Sequence, residues 1–262
     1  MKTIPFYQVD AFTLGPFSGN PAGVCPLESK IPDDLMQKIA FENNLAETAF
    51  LLPEGNDYQI RWFTPLVEVD LCGHGTLASA FVVLKHLKPG ATRVTFNSLH
   101  RGPLFVTLKD EMLELDFPAD IIKKCDLPVK IMESLNVDPV ECFSGLSDYL
   151  LLVRDEEEVL SVRPDFRKLA SADGRGVIVT SKGREVDFVS RFFAPQAGID
   201  EDPVTGSAHT TLTPFWSERL GKKSLRAMQL SARKGYLECT MNDDRVLIAG
   251  RARLFLKGEI FI

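Results

Sequence analysis

Apolar and polar residues alternate through Leu104-Phe105-Val106-Thr107-Leu108, break at Lys109-Asp110, and resume over Met112-Leu113-Glu114-Leu115-Asp116-Phe117. The stretch Gly235-Tyr236-Leu237-Glu238-Cys239-Thr240 repeats the pattern, with a polar turn at Asn242-Asp243-Asp244 and a return through Val246-Leu247-Ile248-Ala249. Alternation around a polar turn predicts two β-hairpins. Runs rich in Val, Ile and Phe predict further strands at 4–12, 47–52, 58–63, 93–96, 148–153, 176–180, 186–193 and 252–262. Helices are the minority. Asp33-Asp34 is a candidate N-cap for a helix to about Asn43, with Leu35, Ile39 and Ala40 on its apolar side. A helix from near Gly75 to about His86 is apolar nearly all round, as a helix buried inside its lobe would be. A third runs from Gly206 to about Leu220 with Pro214 inside it, which predicts a kink or a shorter helix. A shorter candidate covers Pro128 to Leu135, after a linker around Phe117 to Pro128.

Two of these regions match each other. Arg61-Trp62-Phe63-Thr64-Pro65, followed by Asp70-Leu71-Cys72-Gly73-His74-Gly75-Thr76, resembles Arg191-Phe192-Phe193-Ala194-Pro195, followed by Asp200-Glu201-Asp202-Pro203-Val204-Thr205-Gly206-Ser207. The arginines stand 130 positions apart and Gly75 and Gly206 stand 131 apart, half of the 262 residues. A match at half the length predicts duplication, and the period is too long for a solenoid.

Composition narrows the function. With 45% hydrophobic residues the chain can bury a large core, and a net charge of −6 argues against nucleic acid as a partner. A small acidic substrate fits, because a site can be locally positive on an acidic protein. No apolar run approaches the ~20 residues of a membrane span, and the N-terminal MKTIPFYQVDAF lacks the h-region of a signal peptide. The five cysteines are widely spaced with no C-x-x-C pair, which predicts neither a disulfide framework nor a structural zinc site and fits a reducing cytoplasm.

Cys72-Gly73-His74-Gly75-Thr76 is placed at a strand-to-helix junction, where free amides favour an anion such as a carboxylate. Thr205-Gly206-Ser207 repeats the arrangement; the plainer reading makes Thr76 and Ser207 ordinary helix caps. His74 lies within the first of these and has an ordinary pKa suited to acid–base work. His209 is read as packing or surface, and His86 and His100 receive no role. Glu47, just before an apolar strand, could have its pKa raised by burial; its plainer reading is a solvated edge residue. Asp202 either balances a helix dipole or orients a base or a substrate amine. Cys72 beside a helix start is a candidate thiolate. G-x-G-x-x-G, P-loop, H-E-x-x-H and G-x-S-x-G motifs are missing.

Taken together these residues resemble the PhzF-like family, named for phenazine biosynthesis, within the diaminopimelate epimerase fold. The resemblance runs from Val9-Asp10-Ala11-Phe12-Thr13 and Phe17-Ser18-Gly19-Asn20-Pro21-Ala22-Gly23-Val24-Cys25 through Asn44-Leu45-Ala46-Glu47-Thr48-Ala49-Phe50 and the two repeated motifs. It implies an α+β fold of two pseudo-symmetric β-barrel-like lobes, 1–120 and 121–262, each around a central helix with the active site between them. The final strand is a candidate to cross back to the first lobe. It also implies a homodimer with no cofactor and no metal. By motif, the proton-shuttling glutamate of the PhzF enzyme falls on Glu47, the site histidine on His74, the aspartate on Asp202 and the serine on Ser207. Diaminopimelate epimerase uses two cysteines; this chain has Cys72 at one position and Pro203 at the other, which argues against a two-thiol mechanism. The usual Gly-His-Ala-Thr is Gly73-His74-Gly75-Thr76 here.

The sequence thus predicts a cofactor-independent isomerase moving a proton on a small carboxylic, amino-bearing acid. Glu47, His74 and Asp202 are the expected catalytic residues, and Cys72, Gly73, Gly75, Thr76, Gly206 and Ser207 are expected to bind the substrate. The alternatives are an epimerase using Cys72 and a binding protein that has lost catalysis. The expected setting is cytoplasmic, with no membrane partner.

Overall fold

The computed structural model describes residues 3–262; Met1 and Lys2, which begin the stretch read above as lacking a signal peptide, lie outside the described residues. The chain forms two compact units. One takes the described residues up to Asp116 together with Ala249–Ile262, and the other is Phe117–Ile248. In chain order the first contains β1 (Thr3–Ala11), β2 (Asn20–Pro26), α1 (Asp33–Asn43), β3 (Glu47–Glu54), β4 (Asp57–Phe63), β5 (Glu68–Val69), α2 (Gly73–Val82), β6 (Arg93–Ser98), β7 (Gly102–Lys109) and β8 (Met112–Pro118). The second contains β9 (Lys123–Lys124), α3 (Val129–Met132), β10 (Glu141–Ser144), β11 (Asp148–Leu152), α4 (Glu156–Ser161), α5 (Phe166–Leu169), β12 (Gly176–Lys182), β13 (Phe188–Ala194), β14 (Ile199–Asp202), α6 (Gly206–Leu220), β15 (Ser224–Gln229), β16 (Gly235–Asn242) and β17 (Arg245–Gly250). The last strand, β18 (Ala252–Phe261), pairs with β1.

The pairings expose the duplication. In the first unit neighbours run β18–β1–β2–β3–β4–β6–β7–β8, and only the steps β2–β3 and β4–β6 are parallel. In the second they run β9–β10–β11–β12–β13–β15–β16, with parallel steps β11–β12 and β13–β15. A parallel step needs a crossover connection. In each unit the first crossover carries helical structure, α1 in the first and α4 with α5 in the second, and the second crossover carries a small strand followed by the buried helix. The repeated Arg-x-Phe has the same task in both. Arg61 makes a two-point bond to Glu68 on β5, 2.7 Å at each nitrogen, and lies over the Phe63 ring. Arg191 makes one to Glu201 on β14, at 2.7 and 2.9 Å, and lies over Phe193. Each fork ties the small strand to the sheet just ahead of the long helix.

Helix α2 has buried residues on every side, from His74 through Ala80 and at Val82, and packs against β1, β2, β3 and β18. It ends in a single π-helical turn, Val83–Leu87. Helix α6 buries Ala208, His209, Leu212, Phe215 and Trp216. Trp216 stacks on Phe188 at 5.9 Å, and its indole N–H donates to the buried Thr180 hydroxyl at 3.0 Å, so its polar edge is satisfied inside the core. Burying a side chain of this size contributes about 1.5–3 kcal/mol.

Three expectations change. The α1 N-cap position is Pro32, and Asp33 and Asp34 occupy the first turn, where their charge complements the helix dipole. Helix α6 is not shortened: it runs through Pro214 to Leu220, and the Thr210 carbonyl that proline leaves unbonded accepts the Asp120 N–H at 3.1 Å. The helix expected from Pro128 to Leu135 is only the single turn α3. Strands β2, β5, β9, β10, β14 and β15 and the helices α4 and α5 have no counterpart among the elements expected from the sequence.

Candidate active site

The first repeated motif gathers four polar side chains. Glu47 opens β3, Cys72 is the N-cap of α2, His74 lies in its first turn, and Asn20 opens β2. All four are buried. Cys72 Sγ accepts the Gly75 N–H at 3.2 Å, which fixes the thiol against the helix end. A side chain at Gly75 would put a Cβ 2.9 Å from that sulfur and 3.0 Å from the Trp62 ring, so glycine leaves room for both. Thr76 is occupied elsewhere: its N–H and its hydroxyl both donate to the Cys72 carbonyl, at 3.0 and 2.6 Å. The Gly73 and His74 amides therefore stand ahead of the helical ladder at this end.

The His74 ring joins the set. Its Nδ1 lies 3.2 Å from Asn20 Nδ2 and 3.5 Å from Cys72 Sγ. Its Nε2 lies 3.0 Å from Glu47 Oε2, an ion-pair contact in which no donor points straight at the oxygen. Burial alone would disfavour the imidazolium, but the acids beside it, Cys72 and Glu47, outweigh burial and hold the pKa well above the ordinary value. The Cys72 thiol is pushed up to about 11, first by burial and then by the Glu47 charge. Glu47 is thus a buried residue facing the His74 ring, which excludes the solvated-edge reading.

Asn20 received no role in the sequence reading. The signal was Ser18-Gly19-Asn20. Gly19 has φ +78°, and a Cβ there would lie 2.4 Å from the Ala11 carbonyl, so only glycine makes the turn that delivers Asn20.

The second motif builds a separate set in its own unit. Asp202 ends β14 and Thr205 precedes α6; the Thr205 hydroxyl donates to Asp202 Oδ2. Gln229, fully buried at the end of β15, holds both: its Oε1 accepts the Thr205 N–H at 2.8 Å and its Nε2 donates to the Asp202 carbonyl at 2.7 Å. Ser207 does not cap α6. Its hydroxyl accepts from Arg175 Nη2 at 3.0 Å, and Arg175 is forked onto the buried Asp148 carboxylate. Burial opposes the Arg175 charge, but its bonds to Asp148 and the fields of Asp148, Asp202 and Asp120 outweigh it and raise the pKa. His209 is core packing, with Nδ1 2.8 Å from the Thr205 carbonyl, and burial pushes its pKa down to about 4. Sequence reasoning missed Arg175, Asp148 and Gln229. The one local hint was the flanked Gly174-Arg175-Gly176; the partners are 27 and 32 positions away from Arg175.

Each unit thus places a buried helix inside a sheet with an acid-bearing polar cluster at the helix N-terminus, the α+β architecture of diaminopimelate epimerase-like proteins. A predicted epimerase of Pseudomonas aeruginosa, 21% identical, shares this fold, with a TM-score of 0.77 over 99% of both chains. The chain belongs to the phenazine biosynthesis-like (PhzC-PhzF) family, whose sequence profile matches residues 9–258. It is 50% identical over 257 residues, 98% of each chain, to a protein of Pseudomonas aeruginosa named an uncharacterized isomerase. A solved PhzF-family structure from Enterococcus faecalis is 46% identical, with a TM-score of 0.96 over 100% of both chains.

Proposed function

We propose that this chain is a cofactor-independent isomerase that moves a proton between two carbons of a small, amino-bearing carboxylic acid, with Glu47 as the proton carrier. The carrying observation is the buried Glu47 carboxylate set against His74 Nε2 at 3.0 Å. A carboxylate has more lone pairs than this one contact uses, which leaves Glu47 able to take a proton from a substrate C–H. The carbon–hydrogen bond breaks, its electron pair shifts into the substrate's π system, and an O–H bond forms on Glu47. That O–H then returns the proton to a second carbon, and the carboxylate is regenerated. Protonated His74 balances the carboxylate before and after; its Nδ1–H faces Cys72 Sγ at 3.5 Å, with the Asn20 side-chain amide beside the ring. The Gly73 and His74 amides hold the substrate carboxylate, with Gly75 giving close access. Asp202, Gly206 and Ser207, with Arg175 fixing the serine, are the second unit's own candidate substrate-binding set. The names of the relatives support the reaction class.

Cys72 is not the base in this reading. Its thiol is pushed up to about 11 and is engaged by the Gly75 amide. The homodimer implied by the family resemblance and the reducing cytoplasm read from the cysteines belong to the same proposal.

The test starts with a metabolite pool screened for thermal stabilisation, since a ligand at 100 times its Kd adds about 2.7 kcal/mol. The ligand found is expected to be isomerised by the wild type. Glu47→Gln should bind it while losing roughly 100-fold to 10,000-fold in rate. Full turnover by Glu47→Gln would overturn the assignment, and binding without any turnover by the wild type would favour a binding protein.

A further inference from the structure

Two of the five free cysteines meet across the short ladder between β9 and β10. Phe143 pairs with Lys124 and Ser144 with Lys123 in antiparallel register. One step along, Cys142 stands opposite Cys125, and the Cys125 N–H donates to the Cys142 carbonyl at 3.0 Å. Their Sγ atoms are 3.6 Å apart although the residues are separated by 17 positions in the chain. Opposed residues in such a hydrogen-bonded pair have Cα atoms about 5.5 Å apart, within the roughly 4.4–6.8 Å that a disulfide spans. We propose that Cys125 and Cys142 are a reversible redox pair, which closes to a disulfide on reaction with a low-molecular-weight disulfide such as oxidised glutathione.

The surroundings set the order of events. Cys125 is half-buried and open to a small reagent, while Cys142 is buried. Burial, and then the contact with Cys125, pushes the Cys142 thiol up to about 12, so it is the poorer first nucleophile. The Cys125 thiolate attacks one sulfur of oxidised glutathione, the glutathione S–S bond breaks, and one glutathione thiolate leaves. Cys142 gives its proton to that thiolate or to water and attacks Cys125 Sγ, and the second glutathione leaves. Two protein thiols are oxidised and one small disulfide is reduced to two thiols.

The new bond would close the segment that carries α3. Ile131 on α3 and Leu135 just after it belong to the apolar core of the second unit, and Cys142 lies in that cluster while Cys125, Leu127 and Val137 pack against it. At this edge the ladder has only the two residues of β9 and an exposed Lys124–Glu141 ion pair at 3.0 Å. A covalent tie therefore acts where the backbone pairing is shortest. It would hold the α3 cover on the core by restricting the unfolded chain.

The experiment is oxidation of the native protein with oxidised glutathione, acid quench, alkylation of remaining thiols and peptide mass spectrometry. The expected wild-type product is a single Cys125–Cys142 linkage, with Cys25, Cys72 and Cys239 alkylated and no glutathione retained. Its melting temperature should rise, and dithiothreitol should reverse the rise. Cys142→Ser should instead retain one glutathione on Cys125 with no rise, and Cys125→Ser should form neither product. A wild-type Cys125–glutathione adduct that never resolves, linkage through another cysteine, or no linkage at all would each overturn the proposal. None of these readouts depends on the isomerase activity.

Discussion

His209 lies inside α6 with Nδ1 against the Thr205 carbonyl, and burial pushes its pKa down to about 4. The folded value is below the unfolded value of about 6.5, so the unfolded chain takes the proton first on acidification. Stability from this residue is complete above about pH 6.5 and is lost as pH falls toward 4. Between pH 7 and pH 5 the wild type should lose about 2 kcal/mol more than His209→Gln, measured by urea unfolding at both pH values. His74 is equally buried but faces Glu47, and its pKa moves the other way. The sequence told these two histidines apart by their glycine neighbours, but it carried no sign of the opposite charge environments. Those depend on residues such as Glu47, 27 positions from His74 in the chain. Gly19 is a second residue-scale test. Its positive φ and the nearby Ala11 carbonyl leave no room for a methyl. Gly19→Ala should cost at least about 1–2 kcal/mol in urea unfolding and weaken ligand binding through Asn20.

The elements divide by how local their determinants are. The amphipathic α1, the nearly all-apolar α2 and the hairpin β7–β8 were legible because their pattern is repeated within a few residues. Helices α4 and α5 are only six and four residues long, too short for a period to register. Their signal is the pair of caps, Asp155 accepting from the Glu158 N–H and Asp165 from the Lys168 N–H. Pro214 misled the reading of α6 because the cost of a helical proline was counted without a substitute donor. The Asp120 N–H supplies that donor from 90 positions upstream of Thr210. Pro214→Ala should therefore stabilise the protein by well under the ~3 kcal/mol usual for removing a mid-helix proline, because the Thr210 carbonyl is already satisfied. A midpoint shift equivalent to the full amount would contradict this account of α6.

At the scale of the whole molecule, the repeat seen in Arg61 and Arg191 extends to the order of strands. Both units place their parallel steps at the same two points, and both fork an arginine onto a glutamate of the small strand before the long helix. The duplicated fold was legible because its signal recurs at half the chain length. The candidate site was legible only at motif residues, and the supports Asn20, Arg175, Asp148 and Gln229 were not, because topology selects them. The central claim is that Glu47 carries the proton. With the stabilising ligand in hand, its reacting carbon can be deuterated and the turnover followed by NMR. The account predicts that the wild type converts the deuterated ligand more slowly than the protiated one and that Glu47→Gln, which still binds, converts both at least roughly 100-fold more slowly than the wild type; wild-type conversion by Glu47→Gln would contradict it.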